Sequence, residues 1–159
     1  MTARKKIDDE TYRRHYIPLT YEVGLYMMDH LRRIYREFDG DIAMAMVLGE
    51  IGHYNARHLV RELLPNSGKD ARALATDEVV AKSIRPCNAL SVAEASGIPR
   101  ETVRRKVEKL VRLGWVARDE RGGLRINRSV GQHFQEFDRH TIEGLLALGE
   151  RVREIAARP

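Results

Sequence analysis

The sequence predicts a mainly α-helical protein carrying one two-stranded hairpin. Three observations lead there. Apolar residues recur at helical spacing over most of the chain. Two helical segments meet at a single glycine, Gly97. The pair Gly122-Gly123 separates two short stretches, Trp115-Val116-Ala117 and Leu124-Arg125-Ile126, that read as strands. The chain has 159 residues, about one domain. Its 43% hydrophobic content is too high for a chain that cannot offset its ordering entropy. The expected division is a polar arm at 1–19, helices over 20–64, a connecting segment at 65–90, the helix-hairpin module at 91–128 and a C-terminal helix at 129–159, all in one compact domain.

Several classes fall away early. No apolar run approaches the roughly 20 residues of a membrane span, so no membrane partner is expected. Met1 to Glu10 is polar and charged, which predicts no secretory leader. Cys87 is the only cysteine, so no intrachain disulfide can form and a cytoplasmic setting is expected.

In chain order, Pro18 disfavours helix at Ile17, so 1–19 reads as an arm and an extended stretch. Thr20 is the expected N-cap of a helix reaching about Phe38, with Met27, Leu31, Ile34 and Phe38 on one face. Asp39-Gly40 marks a turn and Asp41 can cap the next helix. That helix, about 41–64, is nearly all apolar from Ile42 to Ile51 and is expected to be buried on most sides. Its small residues Ala45, Gly49, Gly52 and Ala56 form a stripe that suits close approach of another backbone. Pro65-Asn66-Ser67-Gly68 ends it. A short helix is expected around Leu74 to Ser83, and Pro86 keeps Arg85 out of it.

Residues 91–127 carry the functional argument. Ser91 and Glu94 form a capping box that starts a short helix, and Gly97 stops it. Pro99 opens a second helix, running to about Leu113, with Ile98 and Val103 filling the angle between the two. On the second helix Val103, Val107, Leu110 and Gly114 fall within about 60° of one another at roughly 100° per residue. Glu101, Arg105, Glu108 and Arg112 lie opposite, flanked by Arg104 and Lys109. Beyond Gly114 the hairpin follows, with Trp115 and Ala117 as the expected inward residues of its first strand. Leu124 and Ile126 are expected to face inward on the second, with Arg125 outward and Arg121 at the tip.

The charge is concentrated in the same place. Between Gly97 and Arg128 there are ten basic and four acidic residues, a net of +6, while the rest of the chain carries −1. An arginine-rich helix face of this kind fits a DNA major groove, where arginine can bind guanine bidentately. Arg100, Thr102, Arg104 and Arg105 are the base-reading candidates. Lys109, Arg112, Arg118, Arg121 and Arg125 are the phosphate or hairpin contacts. The plainer reading of the basic window is a solvated helix face.

Ser91 through Asn127, ending in the Asp119-x-Arg121 hairpin, resembles the winged helix-turn-helix of bacterial transcription regulators, most of all the MarR type. The resemblance covers about 37 residues. It departs in Pro99, which stands where the family has a hydroxyl cap, in Ser96, where an apolar residue is commoner, and in a short hairpin. The 65–90 segment is also longer than the family's connection. The resemblance implies a winged helix-turn-helix with a two-stranded wing, flanked by N- and C-terminal helices at a dimer interface, and a sequence-specific regulator acting on double-stranded DNA.

Pairing of subunits has its own sequence support. Val130, Phe134, Phe137, Thr141, Leu145, Leu148, Val152 and Ile155 are spaced as one helical seam, apolar except at Thr141. The expected homodimer seam is therefore Val130, Phe134, Phe137, Leu145, Leu148, Val152 and Ile155. The alternatives are a helix lying on its own core and, for the whole module, a protein–protein adaptor without DNA binding. No catalytic motif occurs, so no enzyme is expected. His53 and His58 are five apart and His133 and His140 seven apart, without a ligand set around them, so no metal or cofactor is expected. Cys87 reads as an ordinary thiol rather than a redox sensor. A small-molecule effector is compatible with such a regulator but has no support in the residues.

Overall fold

The computed structural model describes residues 6–63 and 83–159. Of the short helix expected around Leu74 to Ser83, residues 74–82 lie outside the described residues, as does the helix end expected at Pro65-Asn66-Ser67-Gly68. The chain groups into two compact units, Met1–Glu37 with Phe134–Pro159, and Phe38–His133.

The first unit is built on helices. Asp8 caps α1 (Asp9–Arg14) by accepting from the Thr11 amide at 2.8 Å. After His15 the chain re-enters helix at once, and α2 spans Tyr16–Glu37. The expected extended stretch before Thr20 is thus helical. Pro18 sits in the first turn of α2, where its missing N–H is no loss. Thr20 is not a cap; inside the helix its hydroxyl donates back to the carbonyls of Tyr16 and Ile17. The other long helix, α7, spans Gln135–Ala156 and packs along α2. Tyr26, His30 and Arg33 of α2 meet Phe137 and Thr141 of α7. The His30 and Phe137 ring centroids are 5.7 Å apart, and the Arg33 guanidinium lies 5.0 Å over the Phe137 ring. The Tyr26 hydroxyl donates to the Thr141 carbonyl. Burial and the Arg33 charge push His30 below its ordinary value, against the smaller opposing pull of Asp29.

The expected single C-terminal seam is interrupted. A separate short helix, α6 (Arg128–His133), precedes α7, and Phe134 between them leaves helical geometry at ψ 2°. Val130 therefore lies in the second unit, on a helix separate from the one that carries Phe137 to Ile155. Phe134 and Ile155 are buried, Phe137, Leu148 and Val152 half-buried, and Leu145 exposed.

The second unit centres on α3 (Ile42–His58), capped by Asp41, whose carboxylate accepts from the Met44 amide at 3.0 Å. Its buried face is Met44, Val47, Leu48, Ile51 and Asn55. The helix is buried on this one face, not on most sides; Met46 is 46% exposed. A π-helical turn, Leu59–Leu63, continues it. The small-residue stripe also divides. A Cβ on Gly52 would stand 3.0 Å from Ile126, whereas one on Gly49 would meet nothing within 4 Å. Of the two glycines only Gly52 is closely approached, and by the end of the Ile126 side chain rather than by a backbone.

Two helices follow, α4 (Ala89–Ser96) and α5 (Arg100–Arg112). The cap of α4 is Asn88, which accepts from the Ser91 amide at 2.9 Å, so the expected capping box at Ser91 lies inside the helix. Asn88, immediately before Ala89-Leu90, was the usable signal. Gly97 closes α4 with φ 70°, the left-handed backbone that favours glycine. Ser96 suits its place: its hydroxyl donates to the Val92 carbonyl and accepts from the Ile98 amide, bridging the turn. Val103, Val107 and Leu110 of α5 have no exposure. Each such burial contributes about 1.5–3 kcal/mol. The face the wheel assigned to the core is the face that packs on α3 and α4.

Strands β1 (Val116–Arg118) and β2 (Leu124–Ile126) pair antiparallel, Val116 opposite Ile126 and Arg118 opposite Leu124. Val116 is the inward residue of β1, not Ala117, which is exposed. The expected phase was one residue off because Trp115 precedes the strand. It packs edge-on against Phe38, centroids 5.8 Å apart. Asp119 builds the hairpin turn: its carboxylate accepts from the amides of Arg121 and Gly123, with Gly122 at φ 80°. The other edge of β2 is paired too. Leu124 N donates to the Cys87 carbonyl at 2.7 Å, and the Leu124 carbonyl accepts from the Cys87 amide at 3.3 Å.

Candidate nucleic-acid interface

The exposed side of α5 is the site the charge pattern singled out. Arg100, Arg105 and Arg112 are exposed there, Thr102 is half-buried, and Arg118 and Arg121 are exposed on the hairpin. Glu108, Val111 and Arg112 share a shallow cleft with Arg118, so the end of α5 and the start of the hairpin form one surface. Among the described residues no carboxylate pairs with Arg100, Arg105, Arg112, Arg118 or Arg121.

Three candidates are held otherwise. Arg104 is exposed but clasped by two carboxylates of its own helix: it donates to Glu101 at 2.7 Å and to Glu108. The hydrogen bond to Arg104 holds the Glu101 carboxyl below its ordinary range, and that same bond, with both carboxylate charges, raises the guanidinium further. Spacings of three and four residues allow both pairs on one helix face. Lys109 points to Asp41, 3.5 Å away, where Lys106 already donates at 2.8 Å. Arg125 is half-buried and donates to the Ile84 carbonyl at 3.1 Å. The free cations are therefore fewer than the residue list suggests, because neighbours neutralise or occupy the rest.

Two residues that position this surface were not evident in the sequence. Asn55, 2% exposed, accepts from the Ile126 amide at 2.8 Å and donates to the carbonyls of Arg85 and Leu124. It ties the hairpin and the segment entering α4 to the core helix. Its only signal was a polar residue at a buried α3 position, in phase with Leu48 and Ile51. Asn127 donates to the Gly114 carbonyl at 2.7 Å, closing the base of the hairpin.

Other chemistry is thinly represented. Among the described residues no group of three or more His, Cys, Asp or Glu is placed to hold a metal ion. Cys87 is buried, and burial pushes its thiol from 9.0 up to about 11, away from the reactive thiolate. No described helix is long and apolar enough to cross a membrane. Comparison of the chain with protein-family models, curated proteins and solved structures found no match.

Proposed function

We propose that the protein is a sequence-specific regulator of transcription that binds double-stranded DNA as a dimer. In this reading α4 and α5 are a helix-turn-helix, α5 is the recognition helix and β1–β2 is the wing of a winged helix. The observation that carries it is the two-faced α5. One side is wholly buried on α3 and α4, while the other presents Arg100, Arg105 and Arg112 with no carboxylate partner among the described residues. An α-helix with free guanidiniums at its start and end can read guanine edges and hold flanking phosphates. Cys87 on the outer edge of β2 supports the wing by giving it a third backbone partner.

Dimerisation draws support from the first unit. Val23, Met27 and Leu31 of α2 and Ile142, Leu145 and Leu146 of α7 are each at least 40% exposed. A two-helix layer that leaves this much apolar surface in water gains by meeting a second copy. The pairing face would then hold Leu145 together with Ile142 and Leu146, since the rest of the sequence-derived seam is wholly or partly covered. A dimer would set half-sites about 34–36 Å apart.

The test is anisotropy of a labelled random-sequence duplex across salt, for the wild type and Arg100→Ala/Arg105→Ala. Binding whose log–log salt slope is several units steep, at about 0.9 per phosphate, with weaker binding by the variant, is expected. No binding at about 50 mM salt overturns the reading. Light scattering giving only the 18.3 kDa monomer mass overturns the dimer.

A further inference from the structure

We propose that Arg57, Arg61 and Arg85 form a second binding site, for phosphate groups, separate from the exposed face of α5. Arg57 lies in the last turn of α3, and Arg61 follows on the π-helical turn, four residues on and on the same side. Arg85 comes from the extended segment before α4. With Tyr54 and His58 they line one open cleft of about 420 Å³.

The three guanidiniums are exposed, and among the described residues no carboxylate pairs with any of them. Of the other arginines, Arg14, Arg33, Arg104, Arg139 and Arg151 each hold a carboxylate, whereas Arg100, Arg105 and Arg112 of α5 and Arg118 and Arg121 of the hairpin, like these three, hold none among the described residues. Glu50 lines the adjoining cleft that shares Tyr54, Arg57 and Arg61, and it pairs with neither arginine. Three like charges gathered in one cleft repel one another, and an anion would relieve that. The C-terminal dipole of α3 accounts for basic residues at 57 and 61. It does not account for Arg85, which arrives from another segment.

Arg85 is also fixed in place. Its amide donates to the Asn55 carbonyl at 3.3 Å, and its own carbonyl accepts from Asn55 Nδ2 at 2.7 Å. A buried side chain thus holds the backbone of Arg85 opposite Arg57 before any ligand arrives. π-helical turns, such as the one bearing Arg61, are frequent at functional sites. Guanidinium forks match phosphate oxygens two at a time, and three forks offer more charge than one carboxylate would balance. The phosphates can come from a duplex backbone or from a free phosphorylated small molecule. The site does not depend on how the α5 face is read.

The experiment has two arms on the full chain, comparing wild type with Arg57→Ala/Arg61→Ala/Arg85→Ala. The first is calorimetric titration with pyrophosphate in a low-salt chloride buffer. Binding by the wild type that weakens about tenfold or more in the variant establishes the site for a free phosphorylated ligand. The second is the salt dependence of duplex binding. A log–log slope shallower by about 2 in the variant, without pyrophosphate binding, assigns the cleft to backbone phosphates. Equal behaviour of the two proteins in both arms overturns the proposal. If the wild type binds no DNA, the regulator reading fails and the pyrophosphate arm alone decides this site. Circular dichroism checks the fold, and Arg85→Gln alone serves should the triple variant unfold.

Discussion

Lys106 donates to Asp41 across 2.8 Å, joining the middle of α5 to the capping residue of α3. One carboxylate therefore starts the core helix and anchors the helix that presents the arginines. Burial pushes this carboxyl up, but the hydrogen bond from Lys106, the Met44 amide and the charges of Lys106 and Lys109 outweigh it. The net shift is below the ordinary 3.8.

Asp41→Ala should cost about 1–3 kcal/mol, from the lost cap and the lost partly buried ion pair. The folded state favours the charged carboxyl. Its contribution is thus complete above about pH 4 and is lost as pH falls through the lowered value. Urea denaturation at pH 7 and pH 3 checks both points: the wild type–variant difference should shrink at the lower pH.

Asn55→Ala should destabilise the second unit by about 2–4 kcal/mol, since it strands the Ile126 amide and two carbonyls in a buried place. Hydrogen exchange should report the Ile126 and Arg85 amides opening before those of Val103 and Val107. Unchanged exchange at Ile126 would show that the side chain does not pin the hairpin.

Glu101→Gln/Glu108→Gln should release Arg104. If α5 meets DNA, non-specific duplex affinity should rise and the log–log salt slope should steepen by about 1, the contribution of one more phosphate contact. The anisotropy assay reads this directly, and weaker binding would give the two glutamates a contacting role of their own.

Cys87 should resist alkylation. With its thiol at about 11, little thiolate exists at pH 8 and burial blocks access to it. Iodoacetamide followed by mass spectrometry should leave the native protein unmodified and label it fully in denaturant.

Gly49→Ala and Gly97→Ala should move stability in opposite directions. A methyl at 49 meets open space on a helix, so alanine should stabilise by about 0.5–1 kcal/mol. A methyl at 97 also meets open space, but the backbone there is at φ 70°. Left-handed backbone strains alanine, at a cost of about 1–2 kcal/mol. Thermal melts of the two variants check the contrast.

The amino-acid sequence by itself determined the two-sided α5, the Gly97 turn, the Asp41 cap and the existence of the hairpin. Each depends on residues within a few positions of one another, where periodicity and turn chemistry govern the backbone. Even so, local rules erred where two signals competed. Pro18 reads as a helix breaker but is tolerated in a first turn, and Ser91 reads as a cap although Asn88 stands before it. The tertiary structure decided which cations are free. Lys109 is drawn to Asp41, 68 positions away, and Arg125 to Ile84, 41 positions away. It also decided the role of Asn55, 71 positions from Ile126, and the convergence of Arg85 on Arg57 and Arg61. Such pairings depend on how α3, α5 and the hairpin pack together. A side chain's charge is written in the sequence, whereas its partner depends on which surfaces the buried core brings within a few ångströms.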